Sequence, residues 1–129
     1  MNFFKRRKIL KKANYLDLIP VRSMEYRITG EGKVDILMPR FRNKFWREAY
    51  RNSRKGEFIY IHLDRSGSAI WLTIDGQMNV STLCQKMNND HPDQFQPIEE
   101  TETRVTRFLS LLYQQRYISF KEIIDNKNA

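Results

Sequence analysis

Between Val21 and Met38, apolar and polar residues alternate in two runs: Met24, Tyr26 and Ile28 in the first, and Val34, Ile36 and Met38 in the second. A period of two marks strands, and the intervening TGEGK, with Gly30 and Gly32, supplies a turn, so a hairpin is predicted over 21–38. FIYIHL, residues 58–63, predicts a third strand with Ile59, Ile61 and Leu63 on one side and Phe58, Tyr60 and His62 on the other. It is apolar enough for both faces to be covered. Beyond Leu63 the period becomes helical. Ile70, Trp71 and Ile74 form one stripe, Val80, Leu83, Cys84 and Met87 a second, and Val105, Phe108, Leu109 and Leu112 a third. These stripes predict helices at roughly 65–74, 80–89 and 98–116.

Short polar residues bound these helices. Asp64 and Asn79 stand where an N-cap accepts backbone N–H groups, and Asp75 with Gly76 stops the first helix. Tyr117–Phe120 predicts a short closing strand, and the tail 121–129 is polar enough to fray. A three-stranded antiparallel sheet followed by three helices makes an α+β domain of winged-helix type over 18–120, behind a basic arm at 1–17.

The segment 39–56 interrupts this pattern before the third strand. It sets Phe41, Phe45, Trp46 and Tyr50 among Arg40, Arg42, Lys44, Arg47, Arg51, Arg54 and Lys55. An amphipathic helix is predicted, with Phe45, Trp46 and Tyr50 on one side and Arg42, Arg47, Arg51 and Arg54 around its flanks. Either the aromatics pack on the sheet while the arginines solvate, or the segment is a partner surface.

Charge sharpens that choice. Residues 1–55 carry 16 Lys/Arg against 5 Asp/Glu, and residues 56–129 carry 7 against 10, so the net +8 divides into +11 and −3. An anionic partner, whether nucleic acid, lipid surface or acidic peptide, is therefore expected at the N-terminal half. Helix-turn-helix reading of DNA is disfavoured. The connection NNDHPDQFQPIEE is far longer than the usual turn of about 3 to 4 residues, and Glu99, Glu100 and Glu102 would face phosphates. A nucleic-acid role would instead use the basic segment, stacking bases on its aromatics.

Candidate chemistry is sparse. His62 lies in a strand, His91 in a loop, and the lone Cys84 falls in an apolar stripe, so neither a zinc set nor a disulfide is expected and the thiol reads as structural. There is no phosphate loop, nucleophile elbow or metalloprotease motif, and Glu99 and Glu100 read as helix-start residues. A non-catalytic protein without cofactor is expected. No apolar run approaches the ~20 residues of a membrane span, and the start lacks the apolar core of a secretory signal, so a cytoplasmic location is expected.

One fingerprint goes further. Leu63, Asp64, Gly67, Ile70, Trp71, Ile74, Asp75 and Gly76 fit the pattern LDxxGxxIWxxIDG, and RFLSLLYQQRYISF closes the domain. With these residues the chain resembles the PqqD family, small proteins of coenzyme PQQ synthesis and peptide maturation. The resemblance implies a peptide chaperone. It would bind the leader of a ribosomally made precursor as an added strand and present it to a radical SAM enzyme, which would carry its own iron–sulfur cluster. Carried onto this sequence, the strand edge would be Phe58, Ile59, Tyr60, Ile61 and His62, and the opposing helical wall Val105, Phe108, Leu109 and Leu112. Minimal family members lack the basic segment at 39–56. An exposed edge strand also allows a homodimer.

Overall fold

The computed structural model describes residues 15–128. Of the basic arm, residues 1–14 lie outside the described residues, and Tyr15–Asp17 forms a 3-10 turn. The order is then β1 (Pro20–Arg22), β2 (Glu25–Ile28), β3 (Val34–Pro39), α1 (Lys44–Arg51) and β4 (Phe58–His62). There follow α2 (Arg65–Thr73), α3 (Val80–Asp90), α4 (Ile98–Gln114), β5 (Ile118–Phe120) and α5 (Lys121–Asn128). The architecture is α+β with antiparallel sheets, as the sequence predicts. It divides into two compact units, one being Met24–Ser68 and the other the residues up to Ser23 together with those from Ala69 onward.

In the Met24–Ser68 unit, β2, β3 and β4 form one antiparallel sheet in that order. The β2–β3 hairpin pairs Tyr26 with Ile36 and Ile28 with Val34, and its turn closes through Thr29 N–H to the Lys33 carbonyl and Gly32 N–H to the Thr29 carbonyl. Gly32 has φ +80°, where an L side chain would be strained. Val34 and Ile36 are fully buried, whereas β2 is exposed along its length. The other expected face is also open on β4, where Tyr60 and His62 lie in solvent. Covering both faces of β4 was expected because its residues are apolar or aromatic; the alternation instead turns the more polar set outward.

A buried polar junction ends the sheet. Leu63 N–H donates to the Val34 carbonyl at 2.9 Å, and Val34 N–H donates to Ser68 Oγ at 2.8 Å. Ser68 Oγ in turn approaches the Leu63 carbonyl at 3.4 Å. Asp64 starts α2 twice over, its carboxylate accepting Gly67 N–H at 2.7 Å and its carbonyl accepting Ser68 N–H at 2.8 Å. Asp64 is therefore an N-cap, as its position in the sequence predicts.

In the other unit the apolar stripes converge. Ile70, Trp71 and Ile74 of α2 and its end, Val80, Leu83, Cys84 and Met87 of α3, and Val105, Leu109 and Leu112 of α4 are all at most 3% exposed. Asp75 ends α2 by accepting the Gln77 and Met78 N–H groups, and Gly76 follows at φ +75°. Asn79 caps α3 through Thr82 N–H at 2.8 Å. α4 closes in a Schellman arrangement, Tyr117 N–H to the Leu112 carbonyl and Arg116 N–H to the Tyr113 carbonyl, with Arg116 rather than glycine in the left-handed position at φ 66°.

Two expectations are corrected here. The predicted hairpin begins at Glu25, because Pro20–Arg22 is a separate strand pairing with β5 in the register Pro20↔Phe120, Val21↔Ser119 and Arg22↔Ile118. The tail from Lys121 is helical instead of frayed: Lys121 N–H donates to the Ile19 carbonyl, the Glu122 carboxylate accepts Ile19 N–H at 2.9 Å, and Ile123 is buried. Neither contact has a local sequence signal.

Ser68→Ala would leave Val34 N–H buried without its acceptor, at a cost of about 1–3 kcal/mol. Leu111→Ala, at a side chain 57% exposed, should change stability by no more than about 0.5 kcal/mol. Urea unfolding of the two variants beside the parent checks the contrast.

Candidate functional site

The free edge of β4 follows from register. β3 and β4 pair as Asp35↔His62, Ile36↔Ile61, Leu37↔Tyr60, Met38↔Ile59 and Pro39↔Phe58. Directly bonded pairs frame this ladder at both ends, Leu63 N–H to the Val34 carbonyl and Arg40 N–H to the Glu57 carbonyl at 2.8 Å. Antiparallel ladders alternate bonded and non-bonded pairs. Ile59 and Ile61 therefore turn their backbone groups toward β3, while Phe58, Tyr60 and His62 turn theirs away. Among the described residues, no strand pairs with β4 on that side.

The side chains of the outward set build a polar row across the sheet. Arg27, Asp35 and His62 are cross-strand neighbours on β2, β3 and β4. Arg27 Nε lies 3.0 Å from Asp35 Oδ2, and His62 Nδ1 lies 2.6 Å from Asp35 Oδ1. An ionised carboxylate can only accept, so the His62 ring donates from Nδ1. The Arg27 guanidinium also covers the Tyr60 ring, 3.9 Å from its centroid, a cation–π contact. The Asp35 side chain is enclosed at 3% exposure, while that of His62 is 76% exposed. A shallow depression of about 630 Å³ adjoins the row, lined by Thr29, Gly30, Lys33, Asp35, His62 and Asp64 among others.

The His62 hydrogen bond and then the Arg27 contact hold the Asp35 carboxyl below its usual range, against the opposing effect of burial. A depressed folded-state value contributes stability that is present above the unfolded pKa of about 3.9 and is lost as pH falls through the folded value. Asp35→Asn should therefore lower Tm at neutral pH, and the gap to the parent should narrow as pH drops below about 4. Thermal melts across that range check the sign.

The remaining candidate residues take different places. On α4, Val105, Leu109 and Leu112 are enclosed as core with at most 2% exposure, so they present no surface of their own, whereas Phe108 is half-buried. These residues belong to one compact unit and β4 to the other. On α1, Phe45 is 67% and Trp46 48% exposed, so the aromatics do not all pack down on the sheet. Arg42 and Arg54 are exposed, Arg47 is half-exposed, and Arg51 approaches the Glu57 carboxylate at 3.5 Å. Cys84 is buried, and desolvation together with Glu102 pushes its thiol up to about 12, which makes it a poor nucleophile at neutral pH. Among the described residues, no three His, Cys, Asp or Glu side chains are grouped as metal ligands, and no helix is long and apolar enough to cross a membrane.

Asp35 is the site residue that sequence reasoning missed. The β3 alternation that sends Val34, Ile36 and Met38 inward assigns Asp35 to the open face, and its burial is created by neighbours on the two flanking strands.

Residues 54–118 match the family model of coenzyme PQQ synthesis protein D (PqqD), a span of just over half the chain that runs from before β4 to the start of β5. The chain belongs to the PqqD family. No curated protein and no solved structure matched it.

Proposed function

We propose that this protein is a non-catalytic peptide chaperone that binds the leader of a ribosomally made precursor peptide and presents it to a radical SAM maturase. The observation that carries the reading is the open edge of β4, where Phe58, Tyr60 and His62 offer backbone N–H and C=O groups to an incoming strand. Such a strand would gain main-chain bonds independent of its sequence. Its alternate side chains on one face would stand beside Tyr60 and His62, the end of the polar row that reaches the edge. Family membership supports the same reading by connecting the chain with coenzyme PQQ synthesis and peptide modification. A winged-helix arrangement of the sheet and of α2, α3 and α4 belongs to this proposal, as does a cytoplasmic location.

The chemistry would reside in the partner. Binding would raise the precursor's local concentration at the maturase, and any iron–sulfur cluster would be ligated there, since one enclosed cysteine cannot hold it. The β4 edge is carried into the proposal and the α4 wall is not, because Val105, Leu109 and Leu112 already fill the core.

Tyr60→Pro tests the edge directly. It removes an outward N–H without touching the Ile59 and Ile61 bonds to β3, and proline is tolerated at such edge positions. Tagged parent, Tyr60→Pro and Tyr60→Phe are used to capture short peptides from native lysate, with folding checked by circular dichroism. Recovery should fall by about tenfold for the proline variant and hold for phenylalanine, which keeps the N–H. Equal recovery with a folded proline variant would overturn strand addition at this edge.

A further inference from the structure

Helix α1 is left unused by peptide binding at β4. It lies outside the residues that match the family model. Its first turn holds Phe45 and Trp46 side by side in solvent at 67% and 48% exposure, an arrangement a soluble surface gains nothing from. The rings are braced: Trp46 meets Phe45 edge to face at 5.4 Å, and Phe41 packs 4.8 Å from Tyr50 and 6.2 Å from Trp46.

Cations surround this aromatic cluster. Arg42, Lys44 and Arg54 are exposed and make no ion pair among the described residues. Among the described residues, the enclosed Arg47 Nε–H has no acceptor. Between residues 40 and 55 the sequence contains a single acid, Glu48. Arg40 is committed internally, donating to the Lys55 and Gly56 carbonyls, and it fixes the return of the chain into β4.

We propose that α1 and its flanking residues dock on an anionic phospholipid surface. Phe45 and Trp46 enter the boundary between headgroups and acyl chains, and Arg42, Lys44, Arg47 and Arg54 meet the phosphates. Charge complementarity selects an anionic occupant, and ring geometry selects lipid over nucleic acid. Phe45 and Trp46 stand at 82° to one another, which gives successive bases no shared flat platform, whereas a bilayer interface accepts apolar rings in any orientation. Docking of this kind would gather the protein at a membrane face without a spanning segment.

The chain carries its own reporter. Of its two tryptophans, Trp71 is fully buried and Trp46 is exposed, so a shift of emission on adding lipid belongs to Trp46. Full-length protein is mixed with phosphatidylcholine vesicles, with and without phosphatidylserine, at about 0.1 M salt, and is followed by co-sedimentation and tryptophan emission. Binding and a blue shift are expected with phosphatidylserine only. Changing Arg42, Lys44 and Arg54 together to Gln should weaken partitioning by roughly 100-fold, at about 1 kcal/mol per charge. Phe45→Ala, which spares the reporter, should reduce both binding and shift. The proposal is overturned by absence of sedimentation with phosphatidylserine, by equal binding to neutral vesicles, or by displacement from vesicles with a single-stranded oligonucleotide at matched charge concentration.

Discussion

The junction of Val34, Leu63 and Ser68 sets the register on which the rest of the Met24–Ser68 unit depends. One serine hydroxyl accepts the first N–H of β3 and reaches the carbonyl that leaves β4, and Leu63 N–H completes the knot on the Val34 carbonyl. Because side chains and backbone groups alternate with a period of two, a slip of one residue would exchange the inward and outward sets of β4. Ile59 and Ile61 would then offer their amides to the open edge, and His62 would lose its place opposite Asp35. Asp64 reinforces the setting from the helical side by capping α2 one residue after the sheet ends. The LDxxGxxIW fingerprint is thus, in physical terms, a device for joining a strand to a helix at a fixed phase.

From that phase the polar row acquires its character. A carboxylate at 3% exposure is costly unless compensated, and Asp35 receives charge-assisted hydrogen bonds from both neighbouring strands. Arg27 is held by Asp35 and over Tyr60 at once, so the outward face of the sheet is ordered up to the edge strand. An ordered edge pays less entropy when a further strand is added than a loose one would. The first turn of α1 differs, since among the described residues Phe45 and Trp46 stand in solvent without an ion pair or hydrogen bond to order them against the sheet.

Much of this was legible in the sequence because it is local. The stripes at Val80, Leu83, Cys84 and Met87 and at Val105, Leu109 and Leu112 need only helical periodicity, and the caps Asp64 and Asn79 act over three residues. The β4 alternation was readable for the same reason. What escaped is non-local. The β1–β5 pairing joins two three-residue strands about a hundred positions apart, too short to carry a period. α5 is held by Glu122 and Ile123 against partners that its polar sequence does not announce. Phe45 and Trp46 read either as packing on the sheet or as a partner surface, and only the structure places them in solvent, because hydrophobicity alone does not say which apolar side chains find cover.

Among the described residues the backbone groups of Phe58, Tyr60 and His62 form an unpaired strand edge, and the proposal is that a peptide completes it. Residue-resolved amide exchange along β4, measured by NMR on the protein alone and with its captured peptide, addresses it without any substitution. Strand addition at this edge predicts protected Ile59 and Ile61 amides in both states, with Tyr60 and His62 exchanging fast in the free protein and becoming protected in the complex. Tyr60 and His62 amides already protected in the free protein, or still fast in the complex, would contradict it.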